Sequence, residues 1–139
     1  MVERQVCVYE RTAARADAVQ ASGLEPLDRL RGVLMQAASI TDDKHEEARV
    51  WVGFLAAALA DPELARLHQA HNRAFLRRVQ HLLATCRPDW SQDQTGRRAK
   101  ALVALVEGLN ALAVVDPDAY SPAAQQTAIE AALHQIRTE

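Results

Sequence analysis

Between Val50 and Ala60 the chain carries no charge and sets two large aromatics, Trp51 and Phe54, among Val, Leu, Ala and Gly. Asp61-Pro62 stops that run, and a basic stretch, "ELARLH", restarts at once. Proline at that place cannot continue the preceding helix without losing a backbone hydrogen bond, so the two segments are separate helices meeting at a joint. A helix apolar on nearly every side must be covered on nearly every side. The run 50–60 is therefore expected in the interior, against other helices or beside a cavity.

Similar punctuation divides the rest of the chain. A first helix over about residues 2–21 ends at Ser22-Gly23, where Gly can take the left-handed conformation that closes a helix. Pro26 fits the first turn of a second helix, whose stripe is Leu27, Leu30, Val33, Leu34 and Ala37, although Glu25 is a poor cap before it. Asp43 with Glu46 three residues later has the spacing of an N-cap and its reciprocal partner, opening a third helix to about Ala60. Asp61-Pro62 opens a fourth over 62–86. Ser91 with Gln94 opens a fifth to about Val115, and Ser121-Pro122 opens a sixth running almost to the end. Hydrophobic residues make up 49% of the 139 residues but aromatics only 4%, with Ala and Leu dominant, which favours helix over sheet. The expectation is one all-α domain of six helices over residues 1–139, long enough to bury roughly 70% of its unfolded surface.

Sixteen basic residues against 18 acidic ones give a net charge of −2, which supplies no global attraction to DNA or RNA. Residues 61–100 hold eight basic and four acidic side chains, and the fourth helix carries Arg66, Arg73 and Arg77 off its apolar stripe. That pattern reads as a solvated basic face, with a nucleic-acid stripe as the alternative. Cys7 and Cys86 sit on apolar stripes far apart, with neither a metal-type spacing nor a disulfide framework, which points to a reducing cytosol. The charged N-terminus lacks the pattern of a secretory signal. The longest apolar run contains Lys100, Glu107 and Asn110 and falls short of a membrane span. A cytoplasmic protein without a membrane anchor is expected.

The stripe of the fourth helix is Leu64, Leu67, Ala74, Phe75, Val79, Leu82, Leu83 and Cys86, and His68 and His71 fall on it. Two histidines at i and i+3 share a helix face and could occupy two positions around a metal, with Glu107 or Cys86 as a third. No spacing specifies that third ligand, so neither a metal nor a cofactor is expected. The polar residues on apolar faces form no nucleophile–base pair and no opposed carboxylates, so the chain does not read as an enzyme.

The segments "RVWVGFLAAALADPELARLH" and "ALVALVEGLNALAVVDPDAYSPAAQQ" resemble the C-terminal effector-binding and dimerisation domain of TetR-family transcriptional regulators, in the branch that includes the choline-responsive BetI repressors. The matching pattern is Trp51, Phe54, Ala58, Asp61-Pro62-Glu63-Leu64 and Leu67-His68. Leu105, Glu107-Gly108-Leu109, Asp116-Pro117 and a proline-started last helix follow. The order and spacing agree from about residue 2 to residue 136. The resemblance implies a repressor domain without an enzymatic role. It also implies an N-terminal helix-turn-helix domain that has no counterpart in these residues, through which alone the protein would read DNA.

The resemblance further implies an effector cavity among the first five helices. The residues expected to line it, between the third, fourth and fifth helices, are Trp51, Phe54, Leu55, His68, His71 and Phe75, with Glu107 as a polar anchor. A carboxyl group inside an apolar helix is costly without a partner, which suits a small, largely apolar or cationic effector. A homodimer is expected through a four-helix bundle of the last two helices. Ile129, Leu133 and Ile136 would form its contact, and Ala128 and Ala132 would permit close approach. The alternatives are a stand-alone helical module that pairs with full-length regulators, and a small helical metal protein or enzyme.

Overall fold

The computed structural model describes residues 2–21 and 23–139, and Ser22, expected at the end of the first helix, lies outside them. The described residues form six helices and no strand: α1 (Val2–Gln20), α2 (Pro26–Ala37), α3 (Asp42–Ala58), α4 (Pro62–Cys86), α5 (Gln92–Val115) and α6 (Pro122–Thr138). The all-α expectation holds. No helix among these residues is long and apolar enough to cross a membrane.

Local chemistry sets most of the boundaries. Pro26, Pro62 and Pro122 occupy the first turns of α2, α4 and α6. Three side chains cap as expected: Asp61 accepts from Glu63 N at 3.0 Å, Ser91 Oγ from Gln94 N at 3.1 Å and Ser121 Oγ from Ala124 N at 3.2 Å. Glu25 makes no side-chain capping bond. Helix α3 departs from the expectation. Its N-cap is Thr41, extended at φ −109° and ψ 161°, so Asp43 lies inside the first turn, where its carboxylate accepts from Thr41 Oγ1 at 2.6 Å. Asp42 and Asp43 there suit the positive end of the helix. The helix ends at Ala58, two residues early, and Gly23 does not adopt a positive φ.

The main core joins Leu30, Val33 and Leu34 of α2, Phe75, Val79, Leu82 and Leu83 of α4, Leu102, Val106 and Leu109 of α5, and Ile129, Leu133 and Ile136 of α6. A second cluster closes the far end, where Tyr9 of α1, Phe54 of α3 and Leu64 of α4 pack together. Three expectations about burial fail. Helix α3 is not interior: Phe54 is fully buried, but Gly53 and Ala56 are exposed and Leu59 stands 91% exposed just beyond the helix. Small residues have little area to bury, so absence of charge did not mean a buried face. Ala74 and Cys7 are exposed rather than on buried stripes, while Cys86 is half-buried. Ile129, Leu133 and Ile136 are 0%, 0% and 4% exposed in the single chain, so their side chains fill its own core and leave nothing for a partner. Arg66, Arg73 and Arg77 are exposed, as a solvated basic face requires.

A polar clamp fixes the turn between α2 and α3. The buried Gln125 amide accepts from Ser39 N at 3.0 Å and donates to Ser39 O at 3.1 Å and Tyr120 O at 2.9 Å. Asn110 of α5 donates to Ala37 O at 2.7 Å and accepts from Ser39 Oγ at 2.7 Å. At the opposite end, Arg87 donates to Ile136 O at 2.6 Å while lying over the Trp90 ring, which ties the α4–α5 turn to the end of α6.

Replacing Gln125 with Leu keeps the volume but orphans the buried Ser39 N–H and C=O groups. Each unsatisfied group costs about 1–3 kcal/mol, so Gln125→Leu should destabilise the domain by about 2–4 kcal/mol in chemical denaturation. A loss under about 0.5 kcal/mol would show that the clamp is not needed to hold the turn.

Candidate functional site

Tyr9 is the centre of the α1–α3–α4 contact. Its ring stacks on His71 with centroids 3.6 Å apart and planes inclined by 8°, and meets Phe54 edge-on at 5.9 Å. Its hydroxyl lies 3.2 Å from His68 Nδ1. A phenol donating there leaves the ring proton of neutral His68 on Nε2. Burial lowers the pKa of both histidines, and for His71 burial together with the neighbouring His68 brings it to about 4. Both rings are thus neutral at pH 7, as stacking against a phenol in an apolar setting favours.

Beside this stack lies an inner cavity of about 60 Å³. Helix α1 supplies Val8, Tyr9 and Thr12 to its wall, α2 supplies Gln36 and Ala37, and α3 supplies Lys44, Glu47, Ala48 and Trp51. His71 and Phe75 come from α4, and Glu107 and Asn110 from α5. The charges are unequal in what they can still do. Glu47 is taken up by Arg15, which donates to both of its oxygens at 3.0 and 2.6 Å. Lys44 Nζ donates to Met35 O at 3.2 Å, and burial lowers its pKa. Among the described residues no hydrogen bond or ion pair reaches the Glu107 carboxyl group, and burial raises its pKa to about 7. Gln36, on the same wall as Lys44, leaves a buried Oε1 without a hydrogen-bond partner.

The structure brings four of the seven expected lining residues, Trp51, His71, Phe75 and Glu107, around this one cavity. Phe54 is not among them; it is packed beneath Tyr9 in the second cluster. Leu55 and His68 face a separate outer cleft of about 390 Å³ between α3, α4 and α5. Trp51 and Glu107 belong to the walls of both spaces. Helices α1 and α2 close it as well, as a cavity among the first five helices implies, although the expected lining residues came only from α3, α4 and α5. Sequence reasoning missed Tyr9, Thr12, Gln36, Lys44 and Glu47. Tyr9 follows Val8 in an otherwise charged helix, and its role depends on residues about sixty positions away. His68 and His71 do not gather a metal set: among the described residues no three His, Cys, Asp or Glu side chains are placed to hold one. The site offers apolar and aromatic walls with a few converging polar groups, the usual make-up of a small-molecule site.

Comparison with known proteins follows the same direction. The model of the C-terminal domain of BetI-type transcriptional repressors matches residues 26–138. The HTH-type transcriptional regulator BetI of Stenotrophomonas maltophilia is 32% identical over 95 residues, which is 68% of this chain and 45% of that protein. The chain thus spans under half the length of that relative. The crystal structure of a transcriptional regulator from Rhodococcus sp. Rha1 superposes with a TM-score of 0.82 over 94% of this chain and 67% of that one. At 22% identity this is a likeness of fold.

The Glu107 pKa carries a sign that can be checked. Below the unfolded value of 4.5 the carboxyl is protonated in both states; as pH rises toward 7 the unfolded chain ionises first, so stability falls across that window. The shift corresponds to a loss of about 3 kcal/mol, complete above pH 7. Glu107→Gln should therefore be more stable than the wild type at about pH 8, with the difference vanishing near pH 4, in denaturation curves across pH. Equal stability at both ends would show that Glu107 is well solvated.

Proposed function

The chain belongs to the C-terminal domains of BetI-type repressors in the TetR family, regulators of transcription rather than enzymes, and on that premise we propose that it is the effector-binding and dimerisation unit of a one-component repressor. The observation that carries this reading is Glu107. Among the described residues its carboxyl group has no hydrogen-bond or ion-pair partner, and it faces a cavity walled by Tyr9, Trp51 and Phe75. A closed core would not retain such a group, whereas a ligand can complete it. DNA would be read by a separate domain attached ahead of α1.

Signalling follows from the wall that Tyr9 forms. The cavity of about 60 Å³ is smaller than the roughly 150 Å³ hole that accommodates benzene in an apolar core, so an effector has to push its walls apart. The Tyr9–His71 stack is one of those walls, and moving it shifts α1, the helix that would lead to the DNA reader. A ligand acts by favouring one of two helix arrangements, and only through its differential affinity for them.

Dimerisation, on this reading, uses the outer face of α5 rather than the buried face of α6. Ala101, Leu105, Gly108, Leu112 and Val115 form one stripe, with Leu112 46% and Val115 81% exposed. Ala124, Ala128 and Ala131 give α6 a small-residue stripe with Gln135, which permits close approach. Two such pairs about a two-fold axis make a four-helix bundle.

Two measurements test the reading. Leu112→Glu should give a folded monomer in light scattering where the wild type is a dimer, whereas Leu133→Glu should unfold the chain, because Leu133 is wholly buried. A monomeric wild type, or a dimer indifferent to Leu112→Glu, rejects the α5 interface. Mass spectrometry of small molecules released from the purified protein should yield a compound that raises the melting temperature of the wild type but not of Glu107→Gln. If no compound is released, and a broad panel of small molecules leaves the melting temperature unmoved, the effector reading fails.

A further inference from the structure

The inner cavity of about 60 Å³ accommodates only a few heavy atoms, whereas the outer cleft beside it measures about 390 Å³. Trp51 and Glu107 line both, so together they form the partition between them. A ligand larger than a small head group can reach Glu107 without moving the inner walls if the rest of it lies in the cleft. The two sides differ in chemistry. The cleft is apolar along Leu55, Leu76 and Val103, with Lys100 also on its wall, whereas the partition itself offers the unpartnered carboxyl of Glu107 and the indole of Trp51.

We propose that cavity and cleft form one site for an amphipathic amine, its N–H-bearing ammonium seated on Glu107 and its apolar tail lying in the cleft along Leu55, Leu76 and Val103. This assignment rests on the effector reading above and adds the class of ligand. An anionic head would meet Glu107 and be repelled. A second cationic group would meet Lys44 at the inner wall or Lys100 at the outer one, which disfavours diamines. A quaternary ammonium would supply charge but no donor. A desolvated carboxylate left without hydrogen bonds is penalised, and charge-assisted N–H bonds are among the strongest it can gain. Trp51 lines both spaces with Glu107, and an indole near the cation would contribute whether or not the nitrogen carries hydrogens. The donor is therefore what separates the ammonium classes, and the tail is what separates long amines from short ones.

Binding of n-hexylamine, n-hexyltrimethylammonium, 1-hexanol and ethylamine to the whole chain, followed by calorimetry at mildly alkaline pH, tests both halves. Hexylamine should bind about tenfold or more tighter than the trimethylammonium compound and the alcohol. It should exceed ethylamine by at least as much, since each buried methylene favours the longer chain. Glu107→Gln, which removes a destabilising group and should fold, should abolish the preference for hexylamine over hexanol. Trp51→Ala should weaken the amine and the alcohol alike. Equal or tighter binding of the quaternary compound overturns the N–H assignment, and equal affinity for ethylamine overturns the placement of the tail. If hexanol matches hexylamine and both depend on Trp51, the amine class is wrong while the effector cavity stands. If none of the four binds at millimolar concentration, the amine class is rejected, and the released-compound measurement decides separately whether the effector reading survives.

Discussion

Apolar packing between helices of Ala, Leu and Val is non-directional, whereas a buried hydrogen bond fixes one particular alignment. In this domain a polar contact supplies that alignment. The Gln125 amide matches the peptide at Ser39 on both sides, accepting its N–H and donating to its C=O, while Asn110 takes up Ala37 O and the Ser39 hydroxyl. The Gln125 amide and the Ser39 backbone are buried and have no water to fall back on, so the turn between α2 and α3 is held in one position. Everything at the cavity wall from α2 and α3 is placed from that turn: Gln36 and Ala37 just before it, Lys44, Glu47 and Trp51 along the helix that leaves it.

That clamp also explains which parts of the fold were legible in the sequence. The starts of α4, α5 and α6 could be read because their caps are local: Asp61, Ser91 and Ser121 each bond a backbone N–H within three residues. The start of α3 could not, because Thr41 and Asp43 are both capable caps, and the choice follows a turn pinned by side chains 71 and 86 residues further along. Periodicity revealed that Ile129, Leu133 and Ile136 share a face but not what that face meets; it meets the chain's own core. Trp51, His71, Phe75 and Glu107, expected together, do line one cavity, each being an aromatic or polar group on the apolar face of its helix. Tyr9 was not legible, since nothing in its charged neighbourhood signals a stack on a histidine from another helix.

The electrostatics of the site follow from how completely its other charges are satisfied. Arg15 grips both oxygens of Glu47 and Lys44 reaches a backbone carbonyl, so these groups act as fixed parts of the wall. Burial keeps His68 and His71 neutral, and His68 adds to the effect at His71. What remains available is one carboxyl group, lifted toward neutrality by the same burial that shields the cavity. That group stands at the point where cavity and cleft meet.

Helix α5 presents three faces: Leu102, Val106 and Leu109 to the core, Glu107 and Asn110 to the cavity, with Val103 shared between core and cleft, and Ala101, Leu112 and Val115 outward. A shift of the helix caused by a change on its core face is therefore also felt at the cavity. The walls contributed by α1 and α3 carry fewer obligations. Thr12 and Trp51 are only partly buried, and neither belongs to the main core. A change at either of these positions reshapes the cavity without disturbing the main core, whereas α5 serves core and cavity at once.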